Sequence, residues 1–424
     1  MRKLYPALLT LLILFTVSDL LAQKKTRLQK EQAIYKAKGD IDFNLFKFRS
    51  SAALYLRSDT TNVAVIGKLA ESYKAFKNYY LAEHWFAKQI VFPDQPDQLM
   101  LDYAEILANN GKYKLSSQWY AKYAAKHPKD RRAANLAKTF DKLHILHEDS
   151  VNWNVTYPTF NTPKDEFSPV YFNRGLVFVS NRDQKWGIKK TFGWNETPFT
   201  DLYTLQDTAT IKTVRPAEYF TDSVMMKVTR AIIDQQLPKT INDNRVLGDI
   251  TYPMTIAFIT LQKDTTPVVA LSKEINTSLH DGPMSLSADQ SEIFYNRNNY
   301  KTSDEGKKGV GIYKLNMFSA RNLGGKWYDF KPFPYNSLEY STAHPALTPD
   351  GKTLYFVSDM PGGYGGKDIY YCFREGDSWS KPVNIGPIIN TEGDEAFPFI
   401  APDGMLYFAS SGHTGLGGLD LFKV

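Results

Sequence analysis

Three textures of apolar and polar positions succeed one another along the chain. A short apolar run from Leu4 to Val17 follows the basic start Met1-Arg2-Lys3. Between about residues 31 and 147, small and aromatic positions recur in matching segments. Beyond about residue 150, short alternating runs are broken by Gly, Pro, Asn and Asp. Alternation with such punctuation marks β-strands, so the pattern predicts a helical first part and an all-β second part.

The two clearest helical segments match at an offset of 34 residues: Ala70 pairs with Ala104, Tyr79 with Tyr113, Ala82 with Ser116, Trp85 with Trp119 and Phe86 with Tyr120. This is the period of tetratricopeptide-type helix-turn-helix repeats, in which small residues let helices approach and large aromatics fill the gap between them. Pro128 falls where the second helix of such a unit ends. Residues Glu31 to Leu56 read as a looser earlier copy, and Arg131 to His147 as a capping helix. Trp85 and Trp119 are expected to pack against neighbouring helices rather than to touch a ligand.

Four related starts organise the β part: Asn161-Thr162 with Pro169, Asn276-Thr277 with Pro283, Asn336-Ser337 with Pro345, and Asn390-Thr391 with Pro398. An apolar strand follows each, at Leu176–Ser180, Ile293–Tyr295, Leu354–Ser358 and Leu406–Ser410. A third strand is expected at Asp201-Leu202-Tyr203, Gly311-Ile312-Tyr313, Asp368-Ile369-Tyr370 and Asp420-Leu421-Phe422, and a fourth is marked by Trp327 and Trp379. Pro349-Asp350-Gly351 and Pro402-Asp403-Gly404 supply turns in which glycine takes a conformation other residues resist. Four strands per repeat, at intervals of 62 (Pro283 to Pro345) and 53 (Pro345 to Pro398), is the arithmetic of propeller blades. Residues Trp153 to Phe160 resemble a fourth strand without its first three, whereas the last repeat lacks a fourth, so the two ends are expected to complete one blade. Residues 204 to about 265 fit poorly, as a degenerate blade or as an insertion, with a short helix at Val224 to Ile232.

The expected fold class is therefore α+β and multidomain: a signal peptide over 1–22, a helical array over 23–148 and an all-β propeller of at least four blades over 153–424. The basic start, short apolar core and small residue before a polar stretch form a secretory signal with cleavage after Ala22, although Leu20 leaves an uncleaved anchor open. With no cysteine near that point, a lipoprotein anchor is not expected. The only cysteine, Cys372, sits in a strand pattern and reads as a small buried apolar side chain. A hydrophobic content of 43% and a charged content of 23% are those of a globular protein, and the charge of +6 is dispersed, which argues against nucleic acid as a partner.

The segments Leu347-Thr348-Pro349-Asp350-Gly351-Lys352-Thr353-Leu354-Tyr355-Phe356 and Gly362-Gly363-Tyr364-Gly365-Gly366-Lys367-Asp368-Ile369-Tyr370 resemble WD40-like repeats of the TolB and PD40 type. Preceded by tetratricopeptide-type repeats, they are similar to the amino-terminal half of OmpA-family envelope proteins of the Bacteroidota, including the PorE-like component of type IX secretion. That resemblance implies a periplasmic protein associated with the outer membrane. The family's propellers usually have six blades, and a β-sandwich and a peptidoglycan-binding domain usually follow. Peptidoglycan is therefore an expected partner only if a further carboxy-terminal domain exists.

Catalytic and cofactor patterns are weak. The glycines at Gly362 to Gly366 and Gly415 to Gly418 run into strands, whereas a phosphate loop opens a helix. The sialidase turn pattern is not matched, because Leu354 stands in its hydrophobic position where tryptophan belongs. Asp165, Glu166, Asp394 and Glu395 lie at blade starts, where turn or capping roles suit them better than glycosidase chemistry. No Gly-x-Ser-x-Gly elbow is present. His280, His344 and His413 are far apart and read as turn residues rather than metal ligands. The sequence thus leads to the expectation of a non-enzymatic scaffold for envelope proteins, with no cofactor and no metal. Its alternative is a module that binds a small ligand or glycan at the propeller axis, with or without hydrolysis. A polar, convergent axial pocket separates the second from the first.

Overall fold

The computed structural model describes residues 4–139, 144–146, 148, 152–162, 164–182, 191–214, 267–298 and 314–424. Among these, seven helices precede a set of small antiparallel sheets arranged as a four-bladed β-propeller. The chain divides into two compact units between Gln95 and Pro96. The first holds α1 (Leu4–Asn44), α2 (Phe48–Tyr55), α3 (Val63–Ala75) and α4 (Tyr79–Gln89) with the short segment Gly193–Glu196. The second holds α5 (Gln98–Asn109), α6 (Tyr113–Lys126), α7 (Arg131–Thr139) and the propeller.

In the first unit, consecutive helices pack against one another. Asn62 and Asn78 cap α3 and α4, their side-chain oxygens accepting from Ala64 N–H at 3.0 Å and Leu81 N–H at 3.2 Å. Ala70 and Ala82 are fully buried where the two helices touch, Tyr79 is half-buried, and Trp85 is buried. Trp194 belongs to this unit: its ring stacks on Phe46 at 6.1 Å and its Nε1–H donates to Ala75 O at 2.7 Å.

The hairpin α5–α6 repeats this plan 34 residues later. Ala104 is fully buried, and Ser116 Oγ donates to its carbonyl at 2.7 Å. Tyr113 and Trp119 are half-buried against the same cluster. Two finer details recur with the same offset. Lys88 lies 4.5 Å above Trp85 and Lys122 lies 3.9 Å above Trp119. The turn residue is left-handed in both hairpins, with φ of 61° at Lys77 and 73° at Gly111. Only glycine adopts that conformation without strain.

The first blade is β2 (Glu166–Phe172), β3 (Gly175–Ser180), β4 (Asp201–Leu205) and β6 (Val268–Ala270). The second is β7 (Asp281–Leu286), β8 (Glu292–Asn298), β9 (Leu315–Leu323) and β10 (Lys326–Pro332). The third is β11 (Thr342–Leu347), β12 (Thr353–Ser358), β13 (Asp368–Glu375), β14 (Ser378–Trp379) and β15 (Val383–Asn384). The fourth is β16 (Glu395–Ile400), β17 (Leu406–Ser410) and β18 (Asp420–Lys423). Trp327 and Trp379 lie in fourth-strand positions, and both are buried.

Each inner strand breaks its register once, at Ser168-Pro169, Gly282-Pro283, His344-Pro345 and Phe397-Pro398. Proline has no N–H for a ladder, so the four prolines sit where the ladder is interrupted. The residue before proline turns left-handed at Ser168, His344 and Phe397, with φ of 51°, 50° and 52°. On the outer turns, Gly351 and Gly404 also have positive φ, 70° and 89°. Asp350 accepts from Thr348 Oγ at 2.6 Å and Lys352 N–H at 3.0 Å, and Asp403 accepts from Met405 N–H at 3.1 Å.

One expectation is corrected. The segment before the first blade does not add a strand to the last one: β1 (Tyr157–Pro158) pairs instead with β5 (Thr213–Val214), and Phe160 packs on Phe178 of its own blade at 5.3 Å. The fourth blade therefore has three strands among the described residues. The third strand of the second blade is Leu315–Leu323, and the expected Gly311-Ile312-Tyr313 lies outside the described residues. The chain leaves the first blade after β4 and returns as β6, with residues 215–266, including the expected helix at Val224 to Ile232, outside the described residues.

Candidate functional site

The asparagine that opens each of the last three repeats acts on the blade before it. Asn276 accepts from Leu202 N–H and donates to Leu202 O, both at 2.9 Å. Asn336 holds Met317 in the same way at 2.9 and 2.7 Å, and Asn390 holds Ile369 at 2.8 and 2.9 Å. A carboxamide matches one N–H and one C=O of an extended strand, so it replaces a pair of ladder bonds. The following Thr or Ser and the first residue of the inner strand form a second lock. Thr391 N–H and Oγ donate to Glu395 at 2.9 and 2.6 Å, Thr162 donates likewise to Glu166, and Thr277 N–H donates to Asp281.

These inner-strand carboxylates are occupied. Glu166 receives Arg182 at 3.1 Å, Asp281 receives Arg297 at 3.1 Å, and Glu395 receives Ser410 Oγ at 2.6 Å. Burial raises Asp281 and Glu395 above the usual carboxylate range. Burial, then the nearby Asp281, raises Asp201 to about 6. Asp165 bonds Asn181, and Asp394 pairs with Lys367 at 3.3 Å.

The glycine-rich loops close on carboxylates of the chain itself. Asp368 accepts from Tyr364 N–H at 2.6 Å and Gly365 N–H at 3.2 Å. Asp420 accepts from Leu416 N–H at 2.8 Å and Gly417 N–H at 3.2 Å. A Cβ at Gly363 or Gly415 would overlap Asp368 Oδ2 or Asp420 Oδ2 respectively. The loops are glycine-rich to admit an internal anion, which leaves those N–H groups engaged.

At the centre, the inner strands pack against one another in succession. The His344 ring stacks on Phe397 at 4.0 Å and 11°, and Phe167 meets Phe397 at 6.1 Å. His344 Nδ1 accepts from Phe397 N–H at 3.2 Å, and burial lowers its pKa to about 3. His280 Nδ1 accepts from Thr200 N–H at 3.1 Å, and burial lowers that group to about 4. Rings from the inner strands of the first, third and fourth blades thus pack on one another.

Within the second unit, α5 to α7 meet the fourth blade. A small cleft lies there, lined by Glu105, Tyr120, Ser411, His413 and Asp420 among others. Arg131 Nε lies 3.5 Å from Glu392 at its rim. Serine, histidine and aspartate are the residue types of a nucleophilic relay, but here each faces elsewhere. Ser411 Oγ accepts from Asp394 N–H at 2.9 Å, His413 Nε2 bonds Ile389 O at 2.8 Å, and Asp420 holds its own loop. Cys372 is fully buried, and burial pushes its thiol up to about 12, away from thiolate chemistry. No group of three or more His, Cys, Asp or Glu able to hold a metal occurs among the described residues.

Sequence reasoning placed the repeat asparagines at blade starts but missed their role as clamps and the helix-to-blade cleft. The signal for the clamps was the recurring apolar-Asn-Thr/Ser triplet. The cleft has no local signal, because residues far apart in the chain build it.

No family model matches the sequence, and no curated protein matches it. Among solved structures, the chain is similar to a puromycin-hydrolysing peptidase of Mycobacterium tuberculosis, with 14% identity over 61% of this chain and 28% of that one, and a TM-score of 0.30. It is also similar to a prolyl endopeptidase structure, with 12% identity over 63% of this chain and 28% of that one, and a TM-score of 0.25. The chain thus spans about 28% of the length of either structure. One expectation, that the chain is not an enzyme, is set aside here, since both neighbours are peptidases. The likeness is one of fold.

Proposed function

We propose that this chain is an exported interaction scaffold of the bacterial envelope, with a tetratricopeptide-type array and a PD40-like propeller that hold other envelope proteins in the periplasm. The observation that carries the reading is the packing of Phe167, His344 and Phe397, from the inner strands of the first, third and fourth blades, on one another, where a ligand pocket between the blades would need open space. The hydrogen-bonding capacity of the buried inner-strand carboxylates is directed into the blades themselves. The helices, by contrast, carry exposed apolar side chains such as Tyr80 on α4 and Leu115 on α6, 53% and 41% exposed. The resemblance of the repeats to OmpA-family envelope proteins makes type IX secretion the machine in which to look for partners. No helix among the described residues is long and apolar enough to cross a membrane.

Photo-crosslinkers placed at Tyr80 and Leu115 of the full chain in cells test the reading. Discrete adducts with envelope proteins are expected at these positions and not at an exposed polar position such as Glu339. Adducts at none of them would remove the scaffold role. Amino-terminal sequencing of the periplasmic form is expected to read from Gln23, and a start at Met1 in the membrane fraction would show an anchor instead.

A further inference from the structure

The turn that joins α1 to α2 carries an aromatic socket. Phe46 has a left-handed backbone with φ of 57°, which a bulky side chain rarely adopts, and its ring is set edge-on to Phe48 at 5.8 Å. Into this corner the segment Gly193-Trp194-Asn195-Glu196 is seated, and these four residues belong to the first unit with the helices. The indole stacks on Phe46 at 17° and meets Phe48 edge-on at 4.8 Å. Its Nε1–H donates at 2.7 Å to Ala75 O, in the last turn of α3, where a helix leaves carbonyls without partners of its own. Arg49 donates to Asn195 O at 3.4 Å, and a Cβ at Gly193 would lie 3.3 Å from Lys47 Cγ. These contacts involve an indole, a backbone carbonyl and a missing side chain, so the socket reads a small residue followed by tryptophan. Trp194 and Phe46 are each 37% exposed, so the seated ring can leave without opening a core.

We infer that this socket docks a turn of a partner protein in which a small residue precedes an exposed tryptophan, and that Trp194 is the chain's own stand-in, exchanged for the partner's. The inference rests on the scaffold reading and names the chemistry of one partner segment. The stand-in is presented as such a turn: Phe192 N–H donates to Thr197 O at 2.8 Å, Thr191 bridges Pro198, and Glu196 is left-handed with φ of 61°. The strain held at Phe46 fits this role, because glycine would relax the turn but would remove the ring on which an indole stacks. A segment tethered to its own socket acts at an effective concentration of about millimolar. A partner without that tether competes when its turn binds more tightly or when it gains further contacts along the helices. Exposed side chains of the same unit, Tyr80 among them, offer such contacts.

A labelled cyclic peptide with the sequence of residues 191–198 serves as the probe, titrated into the full chain and followed by fluorescence anisotropy. Saturable binding is expected with the chain variant Trp194→Ala, whose socket is vacated. Binding about tenfold or more weaker is expected with the unchanged chain, whose own turn competes. Binding to Trp194→Ala is expected to be lost when the peptide carries alanine at the Trp194 position. The same loss is expected when the chain also carries Phe46→Gly, which keeps the left-handed turn and removes the ring. If Trp194→Ala melts early, Trp194→Leu, which keeps an apolar cover without the N–H donor, takes its place. Absence of saturable binding to the vacated socket, equal binding by the unchanged chain, or binding that survives Phe46→Gly overturns the inference. Sedimentation showing a dimer of the unchanged chain that Trp194→Ala dissociates assigns the socket to a second copy and overturns it as well. Crosslinks from Tyr80 and Leu115 that persist while the peptide fails to bind sink this inference alone, whereas loss of both sinks the scaffold reading.

Discussion

Replacing Asn390 with alanine tests whether the repeat asparagines act as clamps rather than as turn residues. Asn390 is fully buried and engages Ile369 N–H at 2.8 Å, Ile369 O at 2.9 Å and Asn384 Oδ1 at 2.8 Å. Alanine leaves Ile369 N–H buried without an acceptor, while Ile369 O keeps Ile385 N–H at 3.1 Å and Asn384 Oδ1 keeps Gly386 N–H at 2.9 Å. One orphaned donor and the loss of two further bonds predict a destabilisation of about 2 to 4 kcal/mol. The assay is urea unfolding read by tryptophan fluorescence, since Trp379 is buried in the adjoining cluster. Asn161→Ala is the internal control, because the same residue in the same repeat position holds no third strand among the described residues. It is expected to cost less than about 0.5 kcal/mol, as surface changes do. Equal losses in the two variants, or none in Asn390→Ala, would show that the asparagines matter through local turn geometry and that the clamp argument is wrong.

Ala104→Arg is expected to open the α5–α6 contact, because a long charged chain must replace a fully buried methyl beside Ser116; a loss of roughly 3 kcal/mol or more should appear as a lower melting temperature by circular dichroism. Gly415→Ala should cost about 2 to 3 kcal/mol by displacing Asp420 from its N–H donors, whereas Gly351→Ala, whose methyl meets open space, should cost only the left-handed strain of about 1 kcal/mol; urea midpoints compare the two. His280 and His344, lowered to about 4 and about 3, stay neutral in the fold while unfolded histidine gains a proton near 6.5. Their stabilisation is present above about pH 6.5 and lost as pH falls toward 4, so the urea midpoint should drop over that window. Asp201, raised to about 6, opposes this by favouring the fold as pH falls. In His344→Asn, which retains an acceptor and tolerates positive φ, the acid slope should be shallower. Finally, a chain beginning at Pro96 should keep a cooperative propeller transition, while one beginning at Trp153 should melt earlier, because it also loses the α5–α7 cover from the fourth blade; differential scanning calorimetry separates the two.

The helical hairpins were legible because their determinants are local: Ala70 and Ala104, Trp85 and Trp119 recur every 34 residues, and small residues at that spacing mark helix contacts. The blades were legible for the same reason, through alternation in segments such as Leu354–Ser358 and through turns such as Pro349-Asp350-Gly351. Even the glycine loops could be denied a phosphate role from the strands that follow them. That Asp368 and Asp420 are the anions those loops hold needed coordinates.

Where each strand and helix lies was thus largely determined by the sequence, because hydrophobic period and turn chemistry act over a few neighbouring residues. Tertiary structure alone decided which groups are satisfied and by what. Asn276 reaches Leu202 across 74 residues, whereas the equally placed Asn161 holds no strand among the described residues. The packing of the inner-strand rings and the meeting of α5–α7 with the fourth blade are likewise decided by how complete blades pack. Hydrogen bonds and burial depend on distances in space, and the like-placed pairs Asn276-Thr277 and Asn161-Thr162 meet different surroundings.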